Sequence, residues 1–341
     1  MKKIKMGVVG AGLWGENHVQ IFNNHPFAET VAICDVDIAK AQKIADEYNI
    51  ASVYDDYTQM AKLSDCDAVS IVTPDYLHAD IAIEFANNKK HILIEKPLAT
   101  SKEDVIRMLD AIRDNGVRAM VDLHNRWNPP FNSAKQLIDD GQLGQIYNAY
   151  FRLNDAKWVA TDMLKWAAKS SILWFLGSHS IDTLCWLFSS KVKRVYSVSR
   201  RGVLDSLGVA ATDVYLTTLE FENGCIAQME NGWITPNANT CVNDFKCTVS
   251  GTNGMINIDA SSHNCIQLVT DKKVTTPDIF VKNYVNGKPN GFAYQSICSF
   301  VDCLVSGDDF LVSLEDAADV TLVILAIKKS AELRCPVMVE Y

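Results

Sequence analysis

The sequence predicts two architectures in series: a doubly wound parallel α/β domain, then an α+β domain built on a mostly antiparallel sheet. Three observations predict them. An apolar run over residues 4–10 leads into Gly10-Ala11-Gly12-Leu13-Trp14-Gly15, a G-x-G-x-x-G that opens a helical pattern lasting through Phe22. Apolar runs and helical patterns then alternate at short spacing up to residue 123, as parallel strands joined by right-handed helical crossovers require. Beyond residue 123 the rhythm changes to period-two segments joined by hairpin signals.

Residues 30–34 form a second strand that ends in Asp35, twenty residues after Gly15. Strand, glycine turn, helix, strand and acid in this order make up a dinucleotide-binding fingerprint. The glycines let the backbone approach a pyrophosphate, which sits at a helix N-terminus where free N–H groups favour negative charge. The Asp35 carboxylate accepts hydrogen bonds from ribose hydroxyls and repels a 2′-phosphate. Val36 and Asp37 follow it, with no nearby Arg or Lys to receive that phosphate, so NAD is expected over NADP.

Asp37 caps a helix through Tyr48, residues 67–72 form a strand ending in Thr73-Pro74-Asp75, and residues 81–87 are helical. His91 to Leu98 reads HILIEKPL. Its apolar run stops abruptly at Glu95 and Lys96, at the carboxyl edge where open α/β sheets bind ligands. Pro97 fixes the backbone there, so Lys96 is aimed and becomes a catalytic candidate. The bland alternative is a solvated Lys at a strand end. Ser101 to Asp104 has the form of a capping box opening a helix to Asn115, and residues 117–123 form the last strand. The first domain therefore spans 1–123 and the second 124–341.

The second domain begins with the polar and ring-rich junction 124–130, followed by a helix (131–138) and a strand (146–153). Residues 171–188 are apolar at helical spacing and carry one interior histidine, His179. Residues 212–221 meet 225–233 across Glu222-Asn223-Gly224, and 245–250 meet 255–259 across 251–254. Helices over 293–305 and 313–333 and a short strand over 337–340 complete the chain.

At 341 residues, 48% hydrophobic and 21% charged, the chain is long enough for two packed cores. A net charge of −9 with no basic stretch argues against nucleic-acid binding. No apolar run reaches membrane-spanning length, and the charged, glycine-containing start lacks a signal-peptide h-region and cleavage site. A cytoplasmic location is expected. The ten cysteines are scattered without a CxxC, and those at 34, 66, 185 and 298 read as small core residues, so no metal site is expected. His25, His91 and His263 have no constellation around them and read as structural or exposed.

Together, GAGLWG, the ICD ending at Asp35, TPDYLH (residues 73–78), EKP (95–97), GSHSID (177–182) and the tail SLEDAADVTLVILAIKKSAE (313–332) resemble the Gfo/Idh/MocA family of nicotinamide-dependent oxidoreductases. The resemblance implies a Rossmann domain for NAD and a second domain with a large, open, mostly antiparallel sheet for substrate and oligomer contacts. It implies reversible hydride transfer at a secondary alcohol of a sugar, polyol or glycoside. The family lysine falls on Lys96 and the family histidine on His179; His179 is read as proton acceptor and Lys96 as donor to the alcohol oxygen, with shared or exchanged roles as the alternative. Cofactor contacts would come from Gly10, Gly12, Leu13, Trp14, Gly15, Asp35, Thr73, Pro74, His78, Glu95, Lys96, Asn125 and Arg126. Substrate contacts would come from Lys96, Arg126, Trp158, Trp166, Phe175, His179 and Asp182, with Lys165 in the same polar-aromatic stretch. The Lys-Pro peptide of this motif is often cis.

One departure stands out. Many sugar-alcohol dehydrogenases of the family carry Asp four residues before the histidine, where this chain has Phe175. Either another acid substitutes (Asp182, Asp155 and Asp162 are candidates) or Lys96 and His179 work as a pair. The departure keeps two rivals open: an NAD-dependent glycosidase that oxidises its sugar only transiently, and a non-catalytic NAD-binding regulator. A free sheet face points to a homo-oligomer of two, four or more subunits.

Overall fold

The computed structural model describes residues 3–262 and 265–341, so His263 lies outside the described residues. The chain forms two compact units, Met1–His124 with Lys282–Thr321 and Asn125–Val281 with Leu322–Tyr341. A single cut after residue 123 therefore does not describe the packing, because residues 282–321 return to the first unit. Polar contacts hold them there: Ser296 donates to Asp122 Oδ1, the Arg118 guanidinium donates to the Cys303 carbonyl at 2.6 Å, and Lys282 donates to Asn17.

The first unit runs β1 (Ile4–Val9), α1 (Leu13–Asn24), β2 (Ala28–Cys34), α2 (Ile38–Tyr48), β3 (Ser52–Tyr54), α3 (Tyr57–Leu63), β4 (Ala68–Ile71), α4 (His78–Asn87), β5 (His91–Ile94), α5 (Lys102–Asn115) and β6 (Ala119–Val121). Its six strands lie in the order β3-β2-β1-β4-β5-β6, and every pair is parallel. The order reverses between β1 and β4, the switch point beyond whose strand ends ligands bind in such sheets. The carboxyl ends of β1, β4 and β5 are neighbours there, with Val9 opposite Ile71 and Ile71 opposite Ile94. Ile92, Leu93 and Ile94 are completely buried, as a central strand covered on both faces requires. Ser101 caps α5 by accepting from the Asp104 N–H, and Gly116 ends it in the left-handed region.

The second unit contains α6 (Pro129–Asp139), β7 (Ile146–Ala156), α7 (Ser178–Phe188), β8 (Val192–Arg200), α8 (Val203–Ser206), β9 (Val214–Phe221), β10 (Ile226–Thr235), β11 (Asn243–Gly251), β12 (Met255–Asp259) and the short pair β13 (Leu268–Val269) and β14 (Val274–Thr275). The chain then returns to the first unit with β15 (Asn283–Val285), β16 (Lys288–Asn290) and α9 (Phe292–Ser306) and finishes through α10 (Leu314–Leu333) and β17 (Val337–Met338). The large sheet has the order β12-β11-β7-β10-β9-β8-β17. Only the β7–β10 pair is parallel; the others are antiparallel. One face is core: Phe131 of α6 stacks on Phe245 of β11 at 4.9 Å, and Phe151 of β7 joins them. The other face leaves Tyr150, Tyr196, Val198, Leu216 and Ile226 exposed.

Among the described residues, none of the ten cysteines is in a disulfide. His25 is buried against Asp302, and His91 accepts from the Arg118 backbone N–H. No helix among the described residues is long and apolar enough to cross a membrane.

Candidate active site

The glycine turn of the first unit is shaped from its backbone outward. Gly10 has φ +107°, and a Cβ there would lie 2.4 Å from the Val72 carbonyl oxygen, so only glycine lets β1 turn so close to β4. A Cβ on Gly15 would strike the Gly10 carbonyl at 1.8 Å, whereas one on Gly12 would meet nothing within 4 Å. The turn is thus tight behind and open at Gly12, which is also the N-cap of α1 and supplies no side-chain cap. The first N–H groups of α1 remain available to an anion. Leu13 is exposed in the same turn. At the end of β2, Asp35 Oδ2 accepts from the Ala11 N–H at 2.7 Å and Oδ1 from the Asp37 N–H at 2.8 Å. These bonds hold the carboxylate beside the turn and leave further lone pairs for hydroxyl donors.

Beyond β5, Lys96 is half-buried and the Lys96–Pro97 peptide is cis. Glu95, by contrast, is buried, and its Oε1 accepts from Trp14 Nε1 at 2.6 Å and lies 3.1 Å from His18 Nε2. Burial alone would raise the Glu95 carboxyl. The His18 hydrogen bond and charge, with the charges of Lys96 and His124, outweigh that and hold it well below the usual carboxylate range. His18, Glu95 and Asp122 approach as a cation-ligating set would, but the His18–Glu95 bond and the Ser296–Asp122 bond already occupy the cluster. Thr73 and Pro74 form the half-buried turn after β4, and Thr73 Oγ1 is buried with no hydrogen-bond partner among the described residues. His78 is completely buried, with Nδ1 2.8 Å from the Pro97 carbonyl and Nε2 3.0 Å from the Thr73 carbonyl. Expected to line the cofactor, it lies between the turns after β4 and β5, with one ring nitrogen beside each of these carbonyls.

In the second unit, His179 is buried in the first turn of α7, at 5% exposure. Arg126 and Asp182 form a buried bidentate pair, with Arg126 NH2 2.6 Å and Nε 3.2 Å from Asp182 Oδ1. Each is strongly committed to the other, so Asp182 is a poor replacement for the missing family acid. Asn125 Nδ2 donates to Thr183 Oγ1 at 3.2 Å, and Thr183 Oγ1 donates to the His179 carbonyl at 2.6 Å. Phe175 lies in a π-turn, Leu173–Gly177, that leads into α7, and its half-buried ring is 6.0 Å from that of Trp233. The other acids differ: Asp155 is buried and accepts from Asn243, while Asp162 is exposed and accepts from Thr161. Trp158 and Trp166 are half-buried around two short turns, and the Trp158 N–H donates to Asn237 Oδ1 at 2.9 Å.

Sequence reasoning missed three buried polar residues of this unit: Asn154, Asn231 and Trp233. Trp233 Nε1, Asn154 Oδ1 and Asn231 Oδ1 have no hydrogen-bond partner among the described residues. A partial signal was present for Asn231, which lies between Met229 and Trp233 on the buried face of β10, where polar atoms normally find partners.

Comparison with known proteins decides the lineage. Residues 4–123 match the family described as "Oxidoreductase family, NAD-binding Rossmann fold", and residues 131–257 match the "GFO/IDH/MocA C-terminal domain". The chain belongs to the Gfo/Idh/MocA family. Among its family relatives, it is 28% identical to inositol 2-dehydrogenase of Salmonella typhimurium over 82% of both chains. It is also 29% identical to 2,7-anhydro-N-acetylneuraminate hydratase of Escherichia coli, over 75% of this chain and 68% of that one. The scyllo-inositol dehydrogenase of Lactobacillus casei, crystallised with NAD(H) and scyllo-inositol, shares its fold with a TM-score of 0.84 at 21% identity over 99% of both chains. This Gfo/Idh/MocA protein is an NAD-binding oxidoreductase. Its open turn at Gly12, the uncapped α1, the aimed Asp35 and the orphaned Thr73 hydroxyl fit that cofactor.

Proposed function

We propose that the protein is an NAD-dependent dehydrogenase acting on a secondary alcohol of a sugar, polyol or glycoside, with Lys96 and His179 as its acid/base pair. The observation that carries this reading is Lys96 at the carboxyl end of β5, half-buried beside the ionised Glu95 and following a strand adjacent to the switch point. The dehydrogenase names of its relatives support the substrate class. NAD, when bound, accepts the hydride from carbon. The chain's own task is then to manage the hydroxyl. His179 takes the hydroxyl proton, and the Lys96 ammonium stabilises negative charge as it develops on oxygen. The cofactor is seated by Gly10, Gly12, Leu13 and Gly15, with Asp35 on the ribose hydroxyls and Thr73 and Pro74 beside it. Arg126, held in place by Asp182, and the aromatic side chains of Phe175, Trp158 and Trp166 serve substrate.

Incubation with NAD and a panel of inositols, free sugars and aryl glycosides tests the reading, with NADH absorbance and product followed together. Net NADH with a polyol or sugar supports it. Aglycone release without net NADH supports the second reading, a glycosidase acting through transient oxidation. That reading is favoured by the Phe175–Trp233 aromatic pair. NAD binding with neither product points to a regulator.

We further infer a cytoplasmic homo-oligomer. The exposed sheet face carrying Tyr150, Tyr196, Val198, Leu216 and Ile226 is the surface such an assembly would cover. Light scattering on Tyr150→Glu against the natural protein tests it, and an unchanged mass would remove this face from the assembly.

A further inference from the structure

In the first unit a chain of polar side chains runs from the half-buried Trp14 to the buried Glu95, His18 and Ser70, and the proton transfer proposed above does not use it. Trp14 sits inside the glycine turn, yet its indole Nε1 donates to Glu95 Oε1 at 2.6 Å. The same oxygen lies 3.1 Å from His18 Nε2, and His18 Nδ1 lies 2.8 Å from Ser70 Oγ on β4. His18 and Ser70 are completely buried. The glycine turn, α1 and β4 thus converge, through three side chains, on one carboxylate at the end of β5. A carboxylate only accepts, so His18 presents Nε2–H to it and Nδ1 to the serine hydroxyl. Filling space does not require this arrangement: buried ion pairs are often replaceable by well-packed apolar residues without loss of stability. The residue that follows the carboxylate is Lys96.

We propose that Trp14 and Glu95 are positioning residues for Lys96. The indole–carboxylate bond ties the turn that seats a pyrophosphate to the strand end that carries the amine, and the Glu95 charge keeps that amine an ammonium. The proposal rests on Lys96 being the catalytic amine of the reading above. Other charges reach this group as well. His18 faces Glu95 from α1, His124 acts on it from beyond β6, and Asp122 lies 3.3 Å from His124 Nδ1. Because Glu95 alone directly precedes Lys96 and accepts from the glycine turn, it couples the two.

The test follows the titration of Lys96 by NMR of the ¹³C-methylated protein, its signal assigned by absence in Lys96→Met, with and without NAD. Glu95→Gln keeps the shape of the side chain and removes its charge. It is expected to lower the Lys96 midpoint by roughly one pH unit or more, since a neighbouring anion favours the charged amine. Trp14→Phe keeps a ring and removes the N–H. It is expected to reduce the response of the Lys96 signal to added NAD at least about threefold while calorimetric NAD affinity changes less than about threefold, and it carries the test alone if Glu95→Gln does not fold. An unmoved midpoint in Glu95→Gln, or a natural NAD response in Trp14→Phe, overturns the proposal. Full turnover in Lys96→Met, with these shifts present, would instead defeat the catalytic reading and leave the tie standing.

Discussion

His78 Nδ1 lies 2.8 Å from the carbonyl oxygen of Pro97, the residue directly after the candidate catalytic lysine. Its Nε2 lies 3.0 Å from the Thr73 carbonyl, so one buried ring joins the turn after β4 to the turn after β5. A neutral imidazole carries one N–H, so His78→Ala removes a donor to one of these carbonyls together with the ring that fills the space between them, and an unsatisfied buried carbonyl costs about 1–3 kcal/mol. A lowered Tm together with a fall in kcat of at least about tenfold is expected. A variant with reduced Tm and natural kcat would show that the brace does not position Lys96.

The Arg126–Asp182 pair is buried on both sides. Breaking such a pair from one side strands the remaining charge and costs about 3–5 kcal/mol. Asp182→Asn and Arg126→Met are each expected to lower the unfolding free energy from denaturant titration by that order, and the double variant to lose less than the two singles together. Strict additivity in this double-mutant cycle would contradict the coupling.

The depressed Glu95 carboxyl predicts a pH dependence of stability. A carboxyl whose folded pKa lies below its unfolded value contributes stability that is present above the unfolded value, near 4.3, and lost as pH falls through the folded value. Between about pH 5 and pH 2 the natural protein should therefore lose stability more steeply than Glu95→Gln. Thermal melts across that window check it, and parallel profiles would mean that Glu95 is not held ionised by His18 and its neighbours.

Asp35 is fixed by the Ala11 and Asp37 N–H groups with its carboxylate beside the glycine turn. A 2′-phosphate there would face a fixed negative charge. NAD is expected to bind at least about tenfold more tightly than NADP, a difference of about 1.4 kcal/mol, and Asp35→Ser should narrow the gap from both sides. Equal affinities in the natural protein would refute this role.

The parts of the first unit that were legible in the sequence are those whose physics is local. The GAGLWG motif, the acid twenty residues after it and the Ser101 cap are each recognisable from residue types at short fixed spacings, and the strands they punctuate lie where the pattern predicts them. β3 escaped because three half-buried residues carry no period. The site's second layer escaped for a different reason. Trp14 and Glu95 are 81 residues apart and Arg126 and Asp182 are 56 apart, so their partnerships exist only once the sheet orders and helix packing bring them together. The same holds for residues 282–321, whose return to the first unit depends on Ser296 meeting Asp122 and Arg118 meeting Cys303. Phe175 could be read as a departure, but nothing local announced the π-turn that sets its ring toward Trp233.

Lys96 and His179 are proposed to carry the proton chemistry, with the glycine turn and Asp35 seating the cofactor. The most direct measurement is single-turnover NADH formation by Lys96→Met and His179→Ala with the polyol or sugar that the natural enzyme oxidises, alongside calorimetric NAD affinity. Rates at least about a thousandfold lower in both variants are expected, with NAD affinity within about threefold of natural, the pattern of lost transition-state stabilisation. A near-natural rate in either variant would contradict the proposal.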